Sequence, residues 1–200
     1  MLKAKNLIVG YKKAICEPLS FAFEDGKCIM LTGSNGSGKS TLLKTLAGLI
    51  PPISGKFSSS GRVVMVPTHI PKVKGFTVKE FILTGMLQSS GMFGRLRQSA
   101  DKAADEAIDA LGLGCLESQD LSRISDGEFQ KACMATALTN EASVLLLDEP
   151  TAFLDVDNRI MVLSTLRSLA RESGTTVMFS THDISDGAKY SDAEISLLKH

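Results

Sequence analysis

Apolar residues recur along the chain at two periods, and the changes between them divide it into elements. Residues 2–9 and 19–24 alternate apolar with polar, the period of a half-buried strand. Glu24-Asp25-Gly26-Lys27 is a turn that leads into the apolar run Cys28-Ile29-Met30-Leu31-Thr32, the next strand. Leu42 to Leu49 carries leucines at helical spacing, and Pro51 and Pro52 forbid continuation beyond it. Ser54-Gly55 and Ser58-Ser59-Ser60-Gly61 bound short strands, and Arg62-Val63-Val64-Met65-Val66 reads as a buried strand stopped by Pro67.

From Pro71 the pattern changes. Thr77 to Leu87 and Gln98 to Leu113 read as helices, joined by a Gly/Ser-containing connector at 89–94, so 71–135 is expected to be a helical insert. Met86 and Met92 read as packing side chains rather than a cofactor box. Val144-Leu145-Leu146-Leu147 is a continuous run, the mark of a strand buried on both faces of a parallel sheet. Helical spacing follows over 156–172, then a strand at 175–180 and a last one at 193–198. The alternation predicts an α/β fold: a three-layer core with a mainly parallel sheet, an N-terminal antiparallel β portion and an inserted helical subdomain. One domain is expected, its core formed by 1–70 and 136–200 around the 71–135 subdomain. In such sheets ligands sit at the carboxyl ends of the strands.

Composition narrows the function class. The 200 residues are 44 % hydrophobic, enough for a substantial core. Twenty-two basic and 22 acidic residues cancel, and with no basic run and 6 % aromatics a broad nucleic-acid surface is not expected. Cys16, Cys28, Cys115 and Cys133 are far apart and form no CxxC pair, which reads as reduced, packed thiols of a cytosolic protein. No apolar run approaches the ~18–20 residues that cross a bilayer, and no signal peptide is visible. The chain is therefore expected to reach a membrane only by docking onto another protein.

Candidate chemistry lies at the strand ends. Gly33-Ser34-Asn35-Gly36-Ser37-Gly38-Lys39-Ser40-Thr41 follows one strand and opens a helix, the context of a phosphate-binding loop. Its glycines let backbone N–H groups converge on phosphate oxygens, and the helix start adds a positive dipole end. Lys39 then reaches the β- and γ-phosphates, and the Ser40 hydroxyl can ligate accompanying magnesium. Asp148 and Glu149 end the buried 144–147 strand. An ordinary acidic surface pair is the plain alternative; otherwise Asp148 holds magnesium through its water shell while Glu149 deprotonates the attacking water. Ser125 with Glu128 three residues on has the form of a helix capping box, and its N–H groups and hydroxyl can also bind an anion. Tyr11, in a loop before the phosphate loop, either covers a strand edge or stacks on a purine.

The order of phosphate loop, Ser125-Asp126-Gly127-Glu128-Phe129-Gln130-Lys131, Leu145-Leu146-Leu147-Asp148-Glu149-Pro150-Thr151, Leu154-Asp155 and Ser180-Thr181-His182-Asp183 resembles the ATP-binding subunits of ABC transporters. The resemblance covers essentially the whole chain. It implies the P-loop NTPase fold, ATP and Mg²⁺ as ligands, and ATP hydrolysis, with Lys39 stabilising the transferred phosphoryl. Tyr11 looks like the aromatic that stacks on adenine. Ser125, Gly127 and Glu128 fall in the signature segment, whose serine and glycine contact the γ-phosphate bound by the opposite subunit. Asp155 resembles the residue that links the two sites, and His182 the switch histidine at the γ-phosphate. The partners implied are a second ATPase subunit, identical or paired, and an integral membrane permease that holds the chain on the inner face of the cell membrane, without nucleic acid and without insertion of its own.

Two positions depart from the family. Where a glutamine usually meets magnesium, water and the permease, this chain has Thr68 followed by His69. Where the signature usually has glycine, it has Asp126, a carboxylate that repels a γ-phosphate unless it points away. Phe76-Thr77-Val78-Lys79-Glu80 and Gly91-Met92-Phe93-Gly94-Arg95-Leu96 look like the helical insert of importers for iron-siderophore, haem or vitamin B12. Such importer subunits usually continue where this sequence ends at Lys199-His200, so a compact or a shortened chain is expected. Compact length is typical of haem-exporter ATPases of cytochrome c maturation, the second expectation. A third, a regulatory module that dimerises on ATP but turns over poorly, is favoured by Thr68 and Asp126 and opposed by Glu149 and His182.

Overall fold

The computed structural model describes residues 1–86 and 95–198, with side chains at 95–98 left aside. The connector at 89–94, with Met92, and the chain end at His200 lie outside the described residues. In chain order the elements begin with β1 (Leu2–Ile8), β2 (Leu19–Phe23), β3 (Cys28–Gly33), α1 (Lys39–Leu46), β4 (Ser54–Ser59) and β5 (Val63–Val66). Helices α2 (Val78–Thr84), α3 (Arg95–Ala110) and α4 (Asp126–Leu138) follow. The chain then forms β6 (Val144–Leu147), α5 (Val156–Ser173), β7 (Thr176–Ser180), α6 (Ile184–Tyr190) and β8 (Ala193–Leu197). It divides into two compact units, one of Met1–Thr68, Ala142–Thr151 and Leu166–His200, the other of His69–Glu141 and Ala152–Thr165.

The first unit holds both sheets. One is antiparallel, in the order β2-β1-β4, and the other is wholly parallel, β5-β6-β7-β3-β8. The register pairs Leu147 with Phe179 and Leu31 with Ser180, so the carboxyl ends of β6, β7 and β3 are level. Every residue of β6 and β7 is buried, which explains why these strands read as unbroken apolar runs. In β1 the buried positions are Leu2, Ala4 and Leu7, and the two-residue period slips at a register shift where Asn6 adopts φ +49°. These side chains join Ile29, Leu31, Leu42, Leu43, Leu46, Leu146 and Met178 in one core cluster. Each of the leucines, isoleucines and methionines contributes roughly 1.5–3 kcal/mol by burial, and Ala4 less.

In the second unit α2, α3 and α4 pack on one another, with the Phe81 and Phe129 rings 5.7 Å apart. Both α2 and α4 begin in capping boxes, Thr77 with Glu80 and Ser125 with Glu128. Several boundaries differ from expectation. The stretch 54–59 is one strand, because its serines and glycine pair with β1 along the whole length. Helix α2 stops at Thr84, with Gly85 as its C-cap, and α3 at Ala110, shortly before Gly112 at φ +61°. Helix α6 has no counterpart in the sequence pattern, since seven residues are too few to display a helical period. Among the described residues no helix is long and apolar enough to cross a membrane.

Candidate nucleotide site

Because the five strands are parallel, the segments that follow them leave one edge of the sheet. Thr68 follows β5, Asp148-Glu149 follows β6, Thr181-His182 follows β7 and the glycine-rich loop follows β3. The loop folds on itself through Ser37 N–H to the Ser34 carbonyl at 3.1 Å, and Leu42 N–H donates to the Gly38 carbonyl at 2.8 Å. Gly38 is the N-cap of α1 at φ +100°, a conformation a Cβ would strain. Lys39, 6 % exposed, donates from Nζ to the Gly33 carbonyl at 2.8 Å and the Ser34 carbonyl at 3.4 Å. Its charge thus sits inside the loop, held by backbone oxygens.

A cavity of about 340 Å³ opens over this loop, lined by Ile15, Asn35, Gly36, Gly38, Lys39, Ser40, Thr41 and Glu149. The structure therefore brings the candidate base Glu149 to the same space as the phosphate loop. Tyr11 does not line this cavity: it is 67 % exposed at the tip of the turn closed by the Gly10–Ala14 bridge. It is Ile15, further along, that lines the cavity, and nothing in a lone loop isoleucine signals that in sequence.

Asp148 is 5 % exposed, and its Oδ1 accepts from the Ser180 hydroxyl at 2.8 Å. Glu149 has φ +53°, its N–H donates to Ser180 Oγ at 2.9 Å, and its Oε1 lies 2.7 Å from His182 Nε2. The candidate base and the candidate switch histidine are thus hydrogen-bonded to each other. The Thr68 hydroxyl donates to the Asp148 carbonyl oxygen at 3.0 Å, so its proton is committed to backbone.

The second unit carries the remaining candidates. Ser125 Oγ accepts from Glu128 N–H at 3.2 Å, while Glu128 Oε2 accepts from Ser125 N–H at 2.7 Å. Hydrogen bonds from the Ser125 N–H and hydroxyl hold the Glu128 carboxyl below its ordinary range. Gly127 lies so close to the following loop that a Cβ would meet the Phe153 carbonyl oxygen at 3.0 Å. Asp126 is turned outward and paired with Lys72 at 2.8 Å, and Lys72 also donates to the Ile124 carbonyl at 2.7 Å. That cation keeps the Asp126 carboxyl ionised further into acid than usual. Asp155 Oδ1 accepts from Asn158 N–H at 2.8 Å, and Asn158 Oδ1 in turn accepts from Lys131 Nζ at 3.0 Å. Lys72, Asn158 and Ser180 were not legible as site residues, because their partners are fixed only by the fold.

Hard oxygen donors are what the site has to offer a cation. Among the described residues no group of three or more His, Cys, Asp or Glu could hold a metal alone. One hydroxyl and one carboxylate, Ser40 and Asp148, suit Mg²⁺, which keeps several waters and takes its other ligands from phosphates.

Comparison with known proteins agrees with this arrangement. The ABC transporter family profile matches residues 16–152, more than half of the chain. The ferric enterobactin transport ATP-binding protein of Escherichia coli (strain K12) is 31 % identical over 210 residues, covering 98 % of this chain and 78 % of that protein. The molybdate import ATP-binding protein of Haemophilus influenzae is 34 % identical over 183 residues, covering 90 % and 72 % respectively. The solved structure of a transporter assigned to the metal-chelate ABC type, in an inward-facing conformation, superposes with TM-score 0.87 at 31 % identity, over 99 % of this chain and 80 % of that one. An ATP-binding cassette in a post-hydrolysis state with ADP and phosphate gives TM-score 0.85 over 98 % and 94 %, and at 23 % identity this shows the shared fold. The expected P-loop α/β fold and nucleotide chemistry are thereby upheld: the chain belongs to the ABC transporter family, as one of its ATP-binding, ATP-hydrolysing subunits.

Proposed function

We propose that this chain hydrolyses ATP to drive an importer of a chelated metal or corrinoid, of the iron-siderophore, haem or cobalamin class. The observation that carries the hydrolytic part is the single cavity shared by the phosphate loop and Glu149. Support for import comes from relatives named for iron(3+)-hydroxamate, cobalamin and molybdate import, beside one named for ferric enterobactin transport.

In this reading the loop N–H groups and Lys39 Nζ receive the phosphates, Lys39 exchanging its carbonyl partners for phosphate oxygens. Asn35, Gly36, Gly38 and Thr41 line that cradle, Ser37 braces it through its N–H to the Ser34 carbonyl, Ile15 meets the sugar, and Tyr11 stacks on the base from its exposed loop. Ser40 and Asp148 would hold a Mg²⁺ arriving with ATP, which would supply positive charge against the phosphates. Thr68 can meet it only through hydroxyl lone pairs. Glu149 takes a proton from water as the water oxygen bonds to the γ-phosphorus and the bond to the bridging oxygen of ADP breaks. His182 leaves Glu149 to contact the γ-phosphate. Ser125 and Gly127 of a second ATPase subunit complete the site from the opposite face, Glu128 capping the helix that presents them, and Asp155 links the two sites. The pair docks on a membrane permease, which places it at the inner face of the cell membrane.

The test is direct. Wild type is expected to hydrolyse ATP, and Glu149→Gln to bind ATP and persist as a dimer on size exclusion; equal turnover by both would remove Glu149 from its role. Cross-linking and co-purification from membranes should recover a permease, whose identity gives the cargo. A second reading, an ATP-dependent regulatory module with weak turnover, is favoured by Thr68 in the glutamine position, and recovery of no integral membrane partner would select it.

A further inference from the structure

We propose that the Thr68 and Ser180 hydroxyls clamp the peptide between Asp148 and Glu149, making both of them positioning residues for ATP hydrolysis. The inference rests on the hydrolytic reading above and extends it to two side chains that touch no nucleotide.

Strand order supplies the geometry. β6 lies between β5 and β7, so the peptide leaving β6 has the ends of two other strands beside it. Thr68, two residues after β5, donates from Oγ1 to the carbonyl oxygen of that peptide at 3.0 Å. Ser180, the last residue of β7, accepts the N–H of the same peptide on Oγ at 2.9 Å. Its single proton is spent on Asp148 Oδ1 at 2.8 Å, which fixes the carboxylate as well. Both polar groups of one peptide are thus held by hydroxyls from two neighbouring segments.

The peptide has reason to move. Glu149 sits at φ +53°, a left-handed conformation unfavourable for a residue with a Cβ. Rotation of the preceding peptide is the soft motion that would relieve it, and would take the N–H from Ser180 and the carbonyl oxygen from Thr68, loosening the turn that sets the Glu149 side chain and freeing the hydroxyl that orients Asp148. The two hydroxyls oppose that rotation from opposite ends. Ser180 is completely buried, so water does not substitute for it. In this chain the residue in the family's glutamine position thus serves the backbone of the hydrolytic centre.

The two hydroxyls make separable predictions. Ser180→Ala frees both the peptide and the Asp148 carboxylate: kcat is expected to fall roughly 10- to 100-fold, as for loss of outer partners of a metal ligand, and the half-saturating Mg²⁺ concentration to rise. Thr68→Val frees only the carbonyl and leaves the Asp148 carboxylate held by Ser180, so kcat falls while half-saturating Mg²⁺ rises less than in Ser180→Ala, and Thr68→Ser restores kcat. Binding of a fluorescent ATP analogue without Mg²⁺ is unchanged in all variants, because it uses the loop. The double variant loses less than the product of the single losses, since both act on one peptide. A folded Ser180→Ala with kcat and Mg²⁺ dependence within twofold of wild type overturns the clamp, as does an equal loss of Mg²⁺-free nucleotide binding. If Ser180→Ala does not fold, Thr68→Val decides by the same readouts, and wild-type kcat in it overturns the proposal. A wild type that hydrolyses no ATP, or a Glu149→Gln variant as active as wild type, sinks the hydrolytic reading itself.

Discussion

At the scale of single residues, Asp126 and Gly127 show how a signature turn tolerates a carboxylate and why it demands a glycine beside it. Lys72 draws the Asp126 carboxylate outward and also ties down the Ile124 carbonyl, so one cation shapes the turn at two points. An exposed pair of this kind adds little stability, and its consequence is the direction of a charge. In a Glu149→Gln background, Lys72→Ala is expected to weaken ATP-driven dimerisation, measured by analytical ultracentrifugation, and adding Asp126→Gly should recover it. A Lys72→Ala variant that dimerises as well as its parent refutes that account. Gly127→Ala is expected to reduce the same dimerisation, because the new methyl makes the Phe153 carbonyl, or the Leu154 side chain 3.1 Å away, give by a few tenths of an ångström. Sequence made Gly127 and Asp126 visible as candidates, but Lys72 is a lysine among many until the fold sets it against the turn.

At the scale of elements, the capping boxes couple helix starts to pH. Ser125 N–H and hydroxyl pull the Glu128 carboxyl below its ordinary value of 4.5. A carboxyl lowered in the folded state stabilises wherever it is ionised in both states, so this contribution is complete at neutral pH. It is lost as pH falls from about 4.5 through the folded value. Ser125→Ala should cost about 1 kcal/mol at neutral pH. A melting curve should drop by a few degrees, and part of the difference from wild type should vanish toward pH 3; a difference that grows in acid would contradict the cap. The same box was readable from Ser125 and Glu128 alone, since capping needs only neighbours three residues apart. Helix α6 was not, although Asp183 caps it by accepting from Asp186 N–H at 3.3 Å. Its N-terminal signal was present, but no apolar stripe marked the helix itself.

At the scale of the whole molecule, burial sorts the four cysteines. Burial pushes the Cys28 and Cys133 thiols up to about 12 and raises Cys16, while Cys115 is exposed. Native protein at pH 8 should therefore release one equivalent of colour rapidly from Ellman's reagent and four in denaturant. Two or more fast equivalents would mean that the packing around Cys16, Cys28 or Cys133 opens readily. Sequence by itself determined the parallel α/β core, the phosphate loop, the Asp148-Glu149 pair and the signature turn, because each depends on local spacing or on a strand buried on both faces. Only the tertiary structure decided that Glu149 and the loop share a cavity, that Thr68 and Ser180 grip one peptide, and that Asp126 faces Lys72. Those facts follow from strand order and register, which bring together side chains up to 112 residues apart, from Thr68 to Ser180, and no local pattern along the chain encodes that distance.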